Sequence, residues 1–317
     1  MTELEITSGR MNPHVDPHLT IWGWEIPVYL FLGGLVAGIL FFSTLYYIRG
    51  QHDKFPTAVK IAPLFTFPLL VLGLFALFLD LSHKLFVWRF YTTIRFESPM
   101  SWGSWTLLII TPLSLIWSLT WIEDIWPKFR WPYKWIDDFI VRARTFRRTI
   151  AWILLIGAIV LGMYTGILLS AFNARPFWNT AILGPLFLAS GLSAGAALIL
   201  LMSKSEEERK MFSKIDMMII GLELFLIIHL FMGFLASTQV HIEAAQLFLG
   251  GPYTAPFWIL VVGIGMILPL LVEILEMRGY HVSVRIPALL VLIGSLILRF
   301  IVVDAGQTSR WLYKFLE

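Results

Sequence analysis

The chain is 317 residues long, 58% hydrophobic and only 14% charged, with a net charge of +3. Soluble domains carry about a quarter charged residues, so this composition excludes a water-soluble enzyme and predicts an all-α integral membrane protein. The absence of cysteine excludes disulfides, thiol nucleophiles and iron–sulfur ligation within this chain.

Residues 1–25 form a polar tail with no apolar stretch of the kind a cleavable signal peptide needs, so the first membrane helix is expected to direct insertion. Apolar runs of spanning length follow at roughly 26–48, 61–81, 104–122, 149–171, 178–202, 215–238, 255–277 and 286–304. Each is long enough for a hydrocarbon core of about 30 Å. Sixteen Lys and Arg residues lie in the loops after the first, third, fifth and seventh runs, against seven in the other loops and the tails. The richer loops are therefore expected at the cytoplasmic face, with both termini on the outer, periplasmic side. The expected domains are an outer tail 1–25, a first four-helix bundle 26–171, a second 178–304 and an outer tail 305–317.

The loop 123–148, EDIWPKFRWPYKWIDDFIVRARTFRR, mixes Trp and Phe with Lys and Arg. It reads as a segment lying at anionic headgroups, or alternatively as a docking surface for a partner. LGGLVAG at 32–38 and ASGLSAG at 189–195 share four of seven positions. A parallel duplication of four helices gives such an echo, and so does the recurrence of small residues where helices pack closely.

Ionisable groups are costly in hydrocarbon and usually face protein or water there. One set lies toward the outer side of the first four helices: Glu25 and Tyr29 in the first, Asp80, His83 and Lys84 at the end of the second, and Tyr164 in the fourth. Asp80 and His83 are three apart, which on a helix places them on one face. A quinone enters from lipid, needs donors for its two oxygens and releases protons on oxidation; these residue types supply donors and acceptors. The alternative is that they are helix-end residues at headgroup depth, where charge costs little. A second set comprises Glu223 and His229 in the sixth helix, Glu273 and Glu276 in the seventh, and Arg299 and Asp304 in the eighth. It fits a proton or ion path or, equally, polar contacts between helices. Haem is not expected, because only His229 lies clearly within a span and His83 sits at a helix end. No resident metal and no nucleic-acid partner are expected.

These segments resemble the NrfD/PsrC family of quinone-interacting membrane subunits in polysulfide-reductase-type complexes. The resemblance rests on DLSHKLFVWRFYTTIRFESPMSWGSW at 80–105, above all SPMSWGSW at 98–105, with YLFLGG at 29–34, YTG at 164–166, SGLSAGAAL at 190–198, GPYTAPFW at 251–258 and RFIVVDAGQ at 299–307. It implies eight helices in two four-helix bundles with both termini outside, in a bacterial or archaeal cytoplasmic (inner) membrane. It also implies a menaquinone or ubiquinone site near the outer surface of the first bundle, at positions matching Glu25, Tyr29, Asp80, His83 and Tyr164. The implied partners are a ferredoxin-like four-cluster iron–sulfur subunit and a molybdopterin or multihaem cytochrome catalytic subunit. Glu223, Glu273, Arg299 and Asp304 are then candidates for a proton route. The rival from another class is a secondary transporter or ion channel that uses those same four residues.

Overall fold

The computed structural model describes residues 22–278, 280 and 285–309. Most of the expected outer N-terminal tail, the last residues of the C-terminal tail and His14, His18 and His281 lie outside the described residues. Among the described residues, eight helices are long and apolar enough to cross a membrane: α1 (Glu25–Ile48), α2 (Thr57–Asp80), α3 (Pro99–Ile125), α4 (Arg147–Ser170), α5 (Leu183–Met202), α6 (Glu206–Leu235), α7 (Pro256–Met277) and α8 (Arg285–Thr308). The protein is thus the expected all-helical, multi-pass integral membrane protein.

Several boundaries differ from those read off the apolar runs. α6 starts nine residues before position 215, at Glu206, because Ser205 caps it by accepting from the Glu208 N–H (3.5 Å) and three glutamates occupy its first turn. Carboxylates there complement the helix dipole, so a charged stretch belongs to the helix. α5 starts only at Leu183. Before it, Phe177 and Trp178 are buried in a loop, where the Trp178 indole donates to the Val302 carbonyl (2.8 Å). α8 continues to Thr308, past the expected end at 304.

α2 begins with a π turn, Thr57–Ile61, and a 3-10 turn, Ala62–Phe65. Pro63 has no N–H to give the carbonyl four residues back, that of Val59. Ser43 of α1 donates to that carbonyl instead (3.1 Å), and Ser118 of α3 donates to the Pro63 carbonyl (2.6 Å). The irregularity is thereby stitched to both neighbouring helices.

Within the first four helices, α1 packs on α2 and α4, and α3 packs on α2 and α4. The same order recurs among α5, α6, α7 and α8. The two sets meet most closely where α1 crosses α5. A Cβ on Gly191 would lie 2.6 Å from the Gly34 carbonyl oxygen, and one on Gly195 would lie 2.5 Å from the Gly38 carbonyl carbon. These glycines are identical positions of the two echoing segments, so the segments that resemble each other also pack on each other. Without side chains between them the backbones approach closely, which is how helices associate when lipid offers no hydrophobic gain.

A second tie joins the sets on the Lys/Arg-rich side. Glu208 is fully buried, yet its carboxylate accepts from the backbone N–H groups of Ala58 (2.9 Å) and Thr57 (3.4 Å) and from the Ser203 hydroxyl (2.9 Å). A side chain of α6 therefore caps the start of α2.

Gly38→Ala is expected to destabilise the protein by about 1–3 kcal/mol, because its methyl group meets backbone that cannot yield. Gly221→Ala, on a helix surface with nothing within 4 Å, is expected to be neutral or to stabilise by up to about 1 kcal/mol. Thermal unfolding of the two variants in detergent measures the contrast; equal midpoints would count against the glycine crossing.

Candidate functional site

α2 stops at Asp80 because Leu81 turns extended (φ −66°, ψ 124°). Asp80 and His83 are therefore not one helical turn apart on a shared face, contrary to the spacing-based expectation. The chain runs on through short turns at Lys84–Phe86 and Arg89–Thr92 and folds across the ends of the first four helices that lie away from the Lys/Arg-rich side. SPMSWGSW fastens this cap. Ser101 Oγ accepts from the Arg95 N–H (3.1 Å), and the Trp102 indole donates to the Phe96 carbonyl (2.8 Å). A Cβ on Gly103 would collide with the Tyr164 ring, so the glycine admits that ring against α3.

Beneath the cap lies a mostly apolar cavity of about 320 Å³, within the range of small-molecule sites. Tyr29 of α1, Asp80 of α2, Tyr91 of the cap, Ser104 of α3 and Tyr164 of α4 bring polar groups to its wall; Ile26, Leu77, Phe90, Leu107 and Leu168 supply apolar surface. Tyr29 and Tyr164 are 3% and 7% exposed, so each is reached almost only through the cavity. Among the described residues neither hydroxyl, nor the Asp80 carboxylate, has a hydrogen-bond partner. Two phenol donors and one carboxylate acceptor thus face an apolar space, an arrangement suited to a flat apolar molecule with oxygens at its ends.

The other two predicted residues lie outside this wall. Glu25, in the first turn of α1, is half-buried and acts on Asp80 through its charge. His83 is exposed and lines a neighbouring groove of about 520 Å³ together with Ser82, Arg89 and Arg95. The groove and the cavity share Leu81, Phe90 and Met100 as a common wall. Lys84 lies on the exposed cap.

The second set divides as well. Arg299 is fully buried; it donates to the Ser190 hydroxyl, the Ser295 hydroxyl (2.7 Å) and carbonyl (3.0 Å) and the Phe187 carbonyl (3.2 Å), with its guanidinium over the Phe187 ring. Gly34 makes room for it, since a Cβ there would lie 3.2 Å from the guanidinium. Glu223 is buried and interacts electrostatically with Arg299 and with Asp216. Asp216 in turn acts on Glu273, which also senses Glu276 and, like Asp216, is fully buried. Charge interactions thus link Arg299, Glu223, Asp216, Glu273 and Glu276 in series and reach the basic residues Arg209 and Lys210. Asp304 is not part of it: exposed on α8, it accepts from the Tyr253 hydroxyl (2.8 Å). His229 is on the exposed side of α6, its Nδ1 2.8 Å from the Phe225 carbonyl oxygen.

Asp216 is absent from the sequence-derived set. The expected helix start at 215 placed it at the membrane edge, where a charge is unremarkable; the true start at Glu206 puts it well inside α6. The signal was present, since Ser205 precedes three glutamates and Asp216 lies seven residues, two turns, before Glu223. Among the described residues no group of three His, Cys, Asp or Glu could hold a metal ion.

The profile of the family described as "Polysulphide reductase, NrfD" matches residues 12–309. The chain belongs to the NrfD family. It is 32% identical to one of the chains of the polysulfide reductase of Wolinella succinogenes, over 91% of this sequence and 95% of that one. It is 30% identical to the protein NrfD of Escherichia coli, over 91% and 96% of the two sequences. A subunit of the selenate reductase of Mesobacillus selenatarsenatis is 26% identical over 93% of this sequence and 79% of its own. In this NrfD-family protein the family-like motifs account for distinct contacts. In RFIVVDAGQ, Arg299 enters the buried series, Gly306 admits the Trp178 ring, and Gln307 holds the start of α1 through two hydrogen bonds with the Trp22 backbone (2.9 and 3.0 Å).

If Gly103 sets the Tyr164 ring, Gly103→Ala is expected to push it into the cavity and weaken binding of an apolar cavity ligand more than Tyr164→Phe does. The latter removes one hydrogen bond, worth about 1 kcal/mol or roughly five-fold in affinity. Titration of both variants with a quinone analogue measures the difference; wild-type affinity in Gly103→Ala would overturn the assignment.

Proposed function

We propose that this protein is the membrane anchor and quinone/quinol-binding subunit of a multi-subunit respiratory oxidoreductase in the bacterial or archaeal inner membrane. The observation that carries the proposal is the capped apolar cavity into which Tyr29, Tyr164 and Asp80 turn polar groups from three different helices. Family membership supports it, as do the names of relatives that belong to polysulfide and selenate reductases.

In this reading the first bundle, 26–171, holds the quinone, menaquinone or ubiquinone. Oxidation of a quinol releases two protons and two electrons. The Tyr29 and Tyr164 hydroxyls donate hydrogen bonds to the ring oxygens and hold them in place. Asp80 accepts a proton from the quinol hydroxyl, and Glu25 and His83 pass protons on toward the aqueous outer side. The electrons leave for an iron–sulfur cluster of a ferredoxin-like, four-cluster partner, which serves a molybdopterin or multihaem catalytic subunit. Quinone reduction runs through the same groups in reverse. The cap offers the partner a surface, with Leu85 and Phe96 87% and 83% exposed among Lys84, Arg89 and Arg95.

In quinol oxidation by the assembled complex, Asp80→Asn is expected to lower turnover about 100-fold, as for loss of a general base. His83→Ala, whose ring lies outside the cavity wall, is expected to lower it less. Full activity in both variants would sink the site.

The buried series favours a further role for the second bundle, 178–304. We propose that Glu223, Asp216 and Glu273 pass protons between the Lys/Arg-rich face and the Arg299 region, with Asp304 a separate outer group. In proteoliposomes, Glu223→Gln and Glu273→Gln are expected to abolish quinol-driven proton uptake while electron transfer continues. Unchanged pH traces would remove the route. Ion transport by the purified protein without partners would instead favour the transporter reading.

A further inference from the structure

Between α3 and α4 the chain forms a surface helix, Lys134–Thr145, flanked by aromatic residues. It has three distinct sides. Ile140 and Ala143 are buried against the protein, and Arg144 fixes the rotation by donating to the Thr120 carbonyl (3.3 Å) and pairing with Glu123 (2.9 Å). Trp135, Phe139, Arg142 and Phe146 recur at helical spacing of four, three and four residues and so form one line. The three rings of that line are 70%, 48% and 56% exposed, far more than a packed face would be. Asp137 lies on the far side of the helix from this line, and Asp138 borders it, three residues after Trp135 and four before Arg142.

The charges divide in the same way. Arg144 and Arg147 are held inward, the latter by Asp124 (2.8 Å) and the Thr120 carbonyl. Lys128, Arg130, Lys134, Arg142 and Arg148 are exposed and, among the described residues, in no ion pair. Against Asp137 and Asp138 they leave an excess of three positive charges. Its C-terminal end is held where Arg147 opens α4, and eight residues, 126–133, join its other end to α3. Burial of Ile140 and Ala143 and the contacts of Arg144 keep this helix, about 18 Å long, from rotating, so its ring line stays exposed.

We propose that this segment is a binding site for anionic phospholipids, with Trp135, Phe139 and Phe146 in the acyl–headgroup boundary and Arg142, Arg148 and Arg130 on the phosphodiester groups. A protein partner would also meet rings and cations, but a ring line bordered by cations without acidic partners, on a segment that joins two membrane-spanning helices, fits a lipid surface. The inference is independent of the quinone reading.

The chain has no cysteine, so a single Trp135→Cys substitution carries an environment-sensitive fluorophore without background labelling. With the full-length protein in nanodiscs of phosphatidylcholine and phosphatidylglycerol, the label is expected to be quenched by brominated lipid and shielded from aqueous iodide. A label at Asp137→Cys is expected to show the reverse. Native mass spectrometry is expected to show phosphatidylglycerol retained in preference to phosphatidylcholine. That preference should fall about 25-fold in the Arg142→Gln/Arg148→Gln variant, taking about five-fold per basic residue. Iodide access at position 135 equal to that at 137, shielding only when a partner protein is added, or unaltered phosphatidylglycerol retention in the double variant would each overturn the proposal.

Discussion

The architecture hangs on one close approach. Gly34 and Gly38 of α1 lie against Gly191 and Gly195 of α5 with no side chain between them. In a bilayer helices gain nothing by hiding apolar surface from one another, so association depends on dispersion contacts between close-packed backbones. This crossing sets the distance between the two sets of four helices. It also fixes what can be buried at the seam, because Arg299 fills the space beside Gly34. A larger residue on α1 would part the halves and uncover the side of the guanidinium that Gly34 packs against, although its hydrogen-bond partners Ser190, Phe187 and Ser295 all belong to the second half.

From that seam the two sets diverge in character. The first holds an apolar cavity under a loop, with a few polar groups on its wall. The second is closed and carries charge inward, from the Lys/Arg-rich face to Arg299. One sequence pattern of neighbouring helices thus supports two chemically different interiors, and the difference lies in a handful of residues. Tyr29 and Tyr164 face space in the first half, and Arg299 and Glu223 are packed into the second.

Much of this was legible in the sequence. Helix number followed from run length, and the importance of 98–105 and 299–307 from the family resemblance. The glycine echo pointed at a true contact. Other features escaped because they depend on what a helix end does. Asp80 and His83 were expected on one face, but periodicity cannot show that Leu81 turns extended and sends the histidine over a wall. Asp216 looked like a residue of the membrane edge and Glu208 like one of an aqueous loop. Their burial follows from a capped helix that starts in a charged stretch, and hydropathy alone gives that start too late. The converse holds for Asp304 and His229, which lie in apolar stretches but remain exposed, since hydropathy does not say which side of a helix meets protein.

The carboxylate of Glu208 has a consequence for the order in which the molecule is made. It completes the first turn of α2 from 150 positions further along the chain. While the ribosome is still producing α3 to α5, the start of α2 therefore has amide groups with no acceptor from its own half, a deficit of about 0.5–2 kcal/mol for a missing cap. The start of α2 is therefore completed only when α6 arrives. The cavity lies at the opposite end of that helix, so a residue of the half that does not line it completes one of the helices that do.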